Sequence, residues 1–371
     1  MKKKKKRNHY IPIIICFIAV PLVFFFLFFG SDRKTGRNEN PLYALRLFQI
    51  RNPFQTFSLP ELEPEEDYDV KVVDEGKLIY SAEYGGYRYG PSIIRYEDGS
   101  MDMWLSSEGN SSSEWDWITY MHSDDGENWS DERVVLRPTP GSDDRCSACD
   151  PGVVFFNDYY YLAYTSTSDR NGKGMNNSAF VARSRNPEGP YEKWNGTDWG
   201  GDPKAMILYE GDPKGWGIGE VSFVIKDEEL FIYYTYFDLN GGMTELAKAD
   251  LSENWPSDIR PVSTVFSRSM QDSMDVVYAE DLDVFLGFAI RNRMSTASVL
   301  TLCISKDGTE FELADRTDEG IKEYAHNVGI SKDIHGHIDT EEEQTIGYAY
   351  GKNWGRWSAR VQNIRISHAY K

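Results

Sequence analysis

The hydrophobic positions beyond residue 70 fall in short runs rather than in long amphipathic stretches. Each run is rich in β-branched and aromatic residues, and Gly, Asp, Asn or Pro ends it within a few positions. No long segment of this region repeats its hydrophobic positions with the 3.6-residue period of a surface helix. The pattern is typical of an all-β domain built from short strands and tight turns.

One longer pattern recurs five times along this region. Each copy is a short hydrophobic run, a polar turn and an aromatic-rich run, which together predict a β-hairpin. The copies begin at Gly90, Asp150, Glu220, Asp275 and His326, between 51 and 70 residues apart. That spacing suits a four-stranded propeller blade with insertions. We therefore predict a five-bladed β-propeller over residues 71–371, with a β-sandwich or two smaller β domains as the alternative.

The N-terminal segment differs from the rest of the chain in charge and hydropathy. Residues 1–37 carry nine Lys and Arg against one Asp, whereas the whole chain has a net charge of −19. Residues 11–30 carry no formal charge, and twenty helical residues span roughly 30 Å. The positive-inside rule then predicts a cytoplasmic basic tail (1–10), a transmembrane signal anchor (11–30) and an extracellular stem (31–70) before an extracellular propeller. A cleaved signal peptide is the alternative, but the apolar segment is long for one.

The acidic body and the few cysteines exclude several classes of function. The negative net charge argues against a nucleic-acid partner, which requires a basic face. Cys146 and Cys149 form a C-x-x-C motif, but no second pair exists to complete a zinc site. The motif predicts either a local disulfide or two free thiols, and we predict no metal site. We expect the protein to be a monomer.

The residues that begin the five copies are candidates for chemistry. In a propeller, the innermost strands of all blades start near one mouth of the central channel, so their first residues converge. Three acids, Asp150, Glu220 and Asp275, and one imidazole, His326, occupy these starts. Core packing does not explain them, because unpaired buried carboxylates are costly.

The blade starts resemble those of the five-bladed propeller glycoside hydrolases, especially family 43, the arabinanases and β-xylosidases. The resemblance rests on residues 149–154 with the tyrosine-rich strand behind them, and on residues 219–223 with Tyr233 and Tyr234 behind. It implies inverting hydrolysis, with Glu220 as the general acid and Asp150 as the group that modulates its pKa.

The resemblance breaks down at the general base. The family places an Asp at the head of the first blade, where this chain has Gly90. Asp275 is the first candidate for a relocated base, and Asp116, between two tryptophans, is the second.

Substrate binding is predicted from aromatic and cationic residues near the blade starts. Indole and phenol rings stack on the C–H faces of sugars, and guanidinium groups bind hydroxyls or carboxylates, so the candidates are Tyr89, Trp117, Arg145, Trp216, Arg291 and His326. Arg293, near Arg291, is a further candidate, and pairing of these arginines with the acids is the alternative. No cofactor is required. The resemblance implies a central cation or water beside His326; the alternative is a histidine bonded to a neighbouring blade.

Together these features predict a glycoside hydrolase, xylosidase- or arabinofuranosidase-like, that acts on an oligo- or polysaccharide. One alternative is a glycan-binding propeller without hydrolysis, which the missing acid at Gly90 supports. Another is a glycoside phosphorylase, in which Arg145 or Arg291 supplies the cationic pocket for phosphate.

Overall fold

The computed structural model describes residues 66–110, 113–172, 174–266 and 273–370. The predicted basic tail, the transmembrane segment 11–30 and the stem up to residue 65 lie outside these residues. Within the described ranges, no helix is long and apolar enough to cross a membrane. The helices described there are two short 3-10 turns, Ala82–Tyr84 and Trp255–Asp258.

Twenty-two strands build the described part of the chain, and most of them form antiparallel four-stranded blades. Blade one contains β3 (Arg88–Arg95), β4 (Met101–Glu108), β5 (Asp116–Ser123) and β6 (Arg133–Leu136). Blade two contains β7 (Cys149–Phe156), β8 (Tyr159–Ser166), β9 (Ser178–Ser184) and β10 (Glu192–Lys193). Blade three contains β11 (Gly217–Lys226), β12 (Glu229–Asp238), β13 (Gly241–Asp250) and β14 (Arg260–Phe266). Blade four contains β15 (Asp275–Ala279), β16 (Val284–Arg291), β17 (Val299–Ser305) and β18 (Glu312–Thr317).

The fifth blade joins the two ends of the domain. Its inner strands are β19 (Ala325–Lys332), β21 (Gln344–Asn353) and β22 (Arg356–Tyr370). Its outer strand is β1 (Glu66–Val72), which pairs antiparallel with β22 and brings residues from the segment predicted as stem into the sheet. Two short strands, β2 (Lys77–Tyr80) and β20 (His337–Ile338), pair with β22 and β15. Pairing of the first and last strands closes the ring without leaving long free edges.

Large hydrophobic side chains fill the space between neighbouring blades. Trp104 packs in a buried cluster with residues of blades one and two, and Trp255 lies between blades two and three. Val277 and Ile330 belong to the cluster between blades four and five. Burying one such side chain stabilises the fold by about 2–3 kcal/mol. The aromatic richness of the sequence therefore serves blade-to-blade packing.

The inner strands approach one another so closely that glycine is required at two positions. A Cβ atom on Gly152 would lie 1.9 Å from the carbonyl oxygen of Val221 in blade three. A Cβ on Gly329 would lie 2.0 Å from the carbonyl oxygen of Pro91 in blade one. These contacts bring the starts of four blades together around the channel.

Candidate active site

Four of the five inner strands begin with the same backbone distortion. Gly90, Asp150, Glu220 and Asn327 have positive φ angles of 58°, 51°, 54° and 48°. In each strand the pairing register shifts immediately afterwards, as in a β-bulge. A bulge re-aims a side chain, and these four residues line one depression at the channel mouth. They are therefore the equivalent positions of four blades.

Asp275 and His326 do not occupy this equivalent position. In blade three, Glu220 is followed two residues later by Ser222, which directly precedes the core residues of the strand. In blade four, Asp275 itself directly precedes the core, so Ser273 corresponds to Glu220. In blade five the equivalent residue is Asn327, one position after His326.

The Asp275 carboxylate is engaged in structural contacts on both of its oxygens. Oδ1 lies 2.5 Å from the Lys332 ammonium and accepts a hydrogen bond from the Ser222 hydroxyl at 2.7 Å. Oδ2 accepts the Ile330 N–H at 2.9 Å. The carboxylate thus ties blades three, four and five together. This geometry does not favour the predicted role of Asp275 as the base.

Asp116 lies on the same face of the propeller as the channel mouth. It begins β5, which runs in the same direction as β3 because both are antiparallel to β4. The Tyr87 hydroxyl donates to its carboxylate at 2.6 Å, and the Tyr89 hydroxyl lies 3.4 Å away. Its own carbonyl accepts the N–H of Ala148, two residues before Asp150, at 3.0 Å. Burial raises the pKa of Asp116 to about 6, although the hydrogen bonds from Tyr87 and Tyr89 lower it.

Asp150 is a buried carboxyl with a similarly raised pKa. Loss of solvent is the main cause and raises its pKa to about 6, whereas hydrogen bonds from Thr165 and Cys149 act in the opposite direction. The charge of Asp116 raises the pKa further, and the Arg293 guanidinium lowers it. The two aspartates therefore influence each other electrostatically.

Glu220 is held beside Asp150 by contacts from two sides. Its N–H donates at 2.9 Å to the hydroxyl of Thr165, the same side chain that bonds to Asp150. Its Oε1 accepts a hydrogen bond from Asn327 Nδ2 at 3.1 Å. Arg293 in turn contacts Asn327 Oδ1 at 3.3 Å. The Thr165 hydroxyl therefore links the Asp150 carboxyl to the backbone of Glu220, and Asn327 links the Glu220 carboxyl to the Arg293 cation.

Two residues of this network, Asn327 and Thr165, were not among the predicted site residues, whereas Arg293 was predicted to bind a sugar or to pair with the acids. Asn327 carries a detectable signal, because residues 327–329 (Asn-Val-Gly) repeat the pattern of residues 220–222 (Glu-Val-Ser). Thr165 carries no comparable signal, since it lies on the second strand of blade two and reaches the mouth only through the fold.

Of the predicted binding residues, Tyr89 contacts a candidate catalytic residue, because its hydroxyl lies beside the Asp116 carboxylate. Its ring also packs edge-on against Trp357 at 5.4 Å. Trp117 donates its indole N–H to Glu114 and lies under the Arg137 guanidinium at 4.2 Å. It follows Asp116 on β5, so it lies at the same end of the blade, but it does not belong to the lining of the mouth.

Arg145, Trp216 and Arg291 are placed elsewhere. Arg145 donates to the carbonyl oxygen of Ser142 at 3.1 Å. The Trp216 carbonyl accepts hydrogen bonds from Asn177. Arg291 lines a separate cleft in blade four. In the described part of the chain, none of these three belongs to the lining of the channel mouth.

His326 is fully buried behind the site. Its Nδ1 lies 2.7 Å from Asn327 Oδ1, and its ring packs edge-on against Trp357 at 4.6 Å. These contacts orient Asn327. Among the residues described, no group of three or more His, Cys, Asp or Glu side chains is arranged to hold a metal ion. The central cation near His326 stays a prediction.

Cys146 and Cys149 are both buried free thiols, so the disulfide alternative is not formed. The Cys149 thiol lies 3.4 Å from the carbonyl oxygen of Thr165. Burial raises the pKa of Cys149 well above its usual value, and the Asp150 charge adds to that rise. At neutral pH this thiol is protonated and serves as a weak donor in the site.

No protein-family model and no curated protein matches the sequence. Solved structures do resemble the fold. Zg3597, a family 117 glycoside hydrolase of the marine bacterium Zobellia galactanivorans, aligns with a TM-score of 0.58 at 16% identity, over 81% of this chain and 90% of its own. The α-L-arabinofuranosidase PaAbf62A from Podospora anserina gives 0.54 at 14% identity, over 79% and 95%. An endo-arabinase from Bacteroides thetaiotaomicron gives 0.52 at 14% identity, over 77% and 96%.

This chain has the fold of the five-bladed propeller glycoside hydrolases. The predicted resemblance is therefore confirmed at the level of fold. Identities this low carry over the architecture and not the activity, because one fold supports many functions. The function must be argued from the residues at the channel mouth.

Proposed function

We propose that the protein is a glycoside hydrolase whose active site is the channel mouth lined by Asp150 and Glu220, together with Asp116 beside it on the same face. The observation that carries the proposal is the pair of aspartates with pKa values raised to about 6, one of which bonds to the Thr165 hydroxyl that also accepts the backbone N–H of Glu220. Carboxyl groups with such pKa values exchange protons near neutral pH, as glycosidic hydrolysis requires.

In this proposal Glu220 is the general acid and protonates the leaving glycosidic oxygen. It is partly exposed at the mouth, so a sugar can reach it, and Asn327 holds one of its oxygens in place. Asp116 is the base that activates water on the opposite face of the sugar ring. Asp150 modulates both groups, because its negative charge disfavours ionisation of carboxyls close to it. Asp116 replaces Asp275 as the preferred base because the Asp275 oxygens are already engaged.

We propose a xyloside or arabinofuranoside as the cleaved unit. Support comes only from the fold, which is shared with an α-L-arabinofuranosidase and with a xylan β-1,4-xylosidase from Bacillus halodurans.

The test is sugar release by the full-length protein from a panel of aryl glycosides and plant polysaccharides. Wild type is compared with Glu220→Gln and Asp116→Asn, and Glu312→Gln, an exposed residue at the opposite end of its blade, is the control. Loss of about 100-fold or more in kcat for the first two variants alone is expected. Turnover that survives both substitutions would refute the roles proposed.

A glycan-binding protein without hydrolysis is the second candidate, and Gly90 favours it. The first blade starts with Gly90, which has no carboxyl group. The space that a side chain at Gly90 would enter is bordered by another acid, because a Cβ there would lie 3.4 Å from Asp150 Oδ1. Glycan binding with no turnover, unchanged by Glu220→Gln, would select this candidate. A glycoside phosphorylase is a further candidate. Arg293, rather than Arg145 or Arg291, would supply the cation beside its acids. Such an enzyme would release a sugar 1-phosphate, and only when phosphate is present.

A further inference from the structure

A second cleft, of about 460 Å³, opens in blade four and is lined by Arg291, Asn292, Val299, Arg316 and Asp318. It lies on the same face of the propeller as the channel mouth. Strand β15 starts at that face, so β16 returns to it at Arg291, β17 leaves it at Val299, and β18 returns to it at Thr317.

The two arginines of this cleft project from the same side of the blade. Arg291 pairs with Val299 and Arg316 pairs with Thr301 across the strand β17 between them. Directly paired residues share a side of a sheet, as do residues two apart on one strand, so both guanidinium groups face the cleft. One carboxylate, Asp318, lines the same space. The cleft is therefore cationic within an acidic protein.

Arg291 is half-buried, and its guanidinium makes no hydrogen bond or ion pair with any residue in the described ranges. Removing a guanidinium partly from water without a partner is unfavourable. Carboxylates and sulfates satisfy its fork of donors with two parallel hydrogen bonds. Arg291 is thus positioned for an anionic group from outside the chain.

The turn that follows Arg291 is fixed by its own side chains. Ser295 and Ser298 both donate to the carbonyl oxygen of Asn292, at 2.7 and 3.2 Å. The N–H of Met294 donates to the carbonyl oxygen of Ala325 at the start of blade five. A rim held in this way loses little conformational freedom when a ligand binds.

The cleft is connected to the candidate active site through this turn. Arg293, two residues after Arg291, contacts Asn327, and Asn327 donates to Glu220. The Cα atoms of Arg291 and Arg293 lie at most about 7 Å apart. The cleft therefore borders the turn whose Arg293 side chain reaches the site, on the same face as the mouth, where a neighbouring sugar of a bound saccharide can lie.

We propose that this cleft binds an anionic group, a uronic acid carboxylate or a sulfate ester, on a sugar next to the cleaved unit. The inference rests on the proposed function for its orientation, since it makes the substrate an acidic saccharide. The net charge of −19 opposes any general attraction of polyanions. Selectivity for the anion then comes from Arg291 and Arg316 themselves.

The experiment is calorimetric titration of the full-length protein with four probes. An oligogalacturonide trimer tests the carboxylate, and its methyl ester is the neutral counterpart. A sulfated galactose oligosaccharide tests the sulfate, and its desulfated form is the counterpart. Wild type is compared with Arg291→Gln and Arg316→Gln. Arg185→Gln, which removes an exposed arginine at the opposite face of blade two, is the control.

We expect at least one anionic probe to bind about tenfold more tightly than its neutral counterpart, a loss of that preference in Arg291→Gln, and no change in Arg185→Gln. The pair that shows the preference identifies the anion. Equal binding of charged and neutral probes, no binding of either anionic probe, or a preference that survives both cleft variants would overturn the proposal. Unchanged thermal unfolding of the variants excludes misfolding. Because binding needs no turnover, a protein that fails to hydrolyse any substrate still tests this inference.

Discussion

The ion pair between Asp275 and Lys332 gives the sharpest prediction about which acids are structural. The Lys332 side chain is 2% exposed and that of Asp275 is 12% exposed, and their charged atoms lie 2.5 Å apart. Asp275→Asn keeps an acceptor for the Ile330 N–H but leaves the lysine ammonium buried without its counter-charge. We therefore expect Asp275→Asn to affect stability far more than chemistry.

Removing one partner of a buried ion pair costs about 3–5 kcal/mol, because the remaining charge is uncompensated. Replacing both, as in Asp275→Asn with Lys332→Met, removes both charges and costs less than the sum of the single substitutions. Urea unfolding of the three variants measures the free energy of unfolding and their coupling. Asp250→Asn is the matched control, since its ion pair with Arg260 is exposed and contributes little.

The opposite result would refute this interpretation of Asp275. If Asp275→Asn unfolds at the wild-type urea concentration while kcat falls about 100-fold or more, the carboxylate acts on the substrate. Asp275 would then be the base after all, and Asp116 would lose that assignment.

Three further predictions concern packing and pH. Gly152→Ala should destabilise the fold by more than about 3 kcal/mol, because its Cβ would overlap the Val221 carbonyl oxygen. Asp150 and Asp116 both bind more protons in the folded than in the unfolded state, so stability should rise as pH falls from about 6 to 4; Asp150→Asn should lower that rise by roughly 2–3 kcal/mol and leave the part due to Asp116. The pKa of His122 is raised, chiefly by its hydrogen bond to Asp102, so its stabilisation is present at low pH and is lost as pH rises through that pKa; His122→Asn should remove this loss.

Each of these has a clear contrary outcome. A Gly152→Ala variant with wild-type thermal stability would mean that the inner strands separate easily. A denaturation profile that stays flat between pH 4 and 6 in wild type would mean that Asp150 is solvated. Identical profiles above pH 6 for wild type and His122→Asn would mean that the imidazole contact adds nothing.

The repeat of hairpins was sufficient to predict the blades, because each inner strand carries its own hydrophobic run. The predicted starts at Gly90, Asp150 and Glu220 fall on equivalent positions of the structure. The turns after β5 and β17 share a sequence pattern, and both are closed by an Asp that accepts neighbouring N–H groups, Asp125 and Asp307. Local chemistry of this kind is readable from sequence.

Register and long-range pairing were not readable in the same way. Asp275 and His326 were predicted one or two residues from the position that faces the mouth, because a one-residue bulge changes which side chain points inward. Lys332 neutralises Asp275 from 57 residues away, which no local pattern indicates. Strand β1 pairs with β22 at the far end of the chain, and this long-range pairing leaves no local pattern. Its first residues were therefore assigned to the stem from their composition.

The central claim is that Glu220 donates a proton to the leaving group. The dependence of kcat on the acidity of the leaving group tests this claim most directly. Once a cleaved sugar is known, kcat for wild type and Glu220→Gln is measured on its 4-methylphenyl and 2,4-dinitrophenyl glycosides. We predict a loss of about 100-fold or more on the first, which needs protonation, and little loss on the second, which does not. An equal loss on both substrates would contradict the role of Glu220 as the acid.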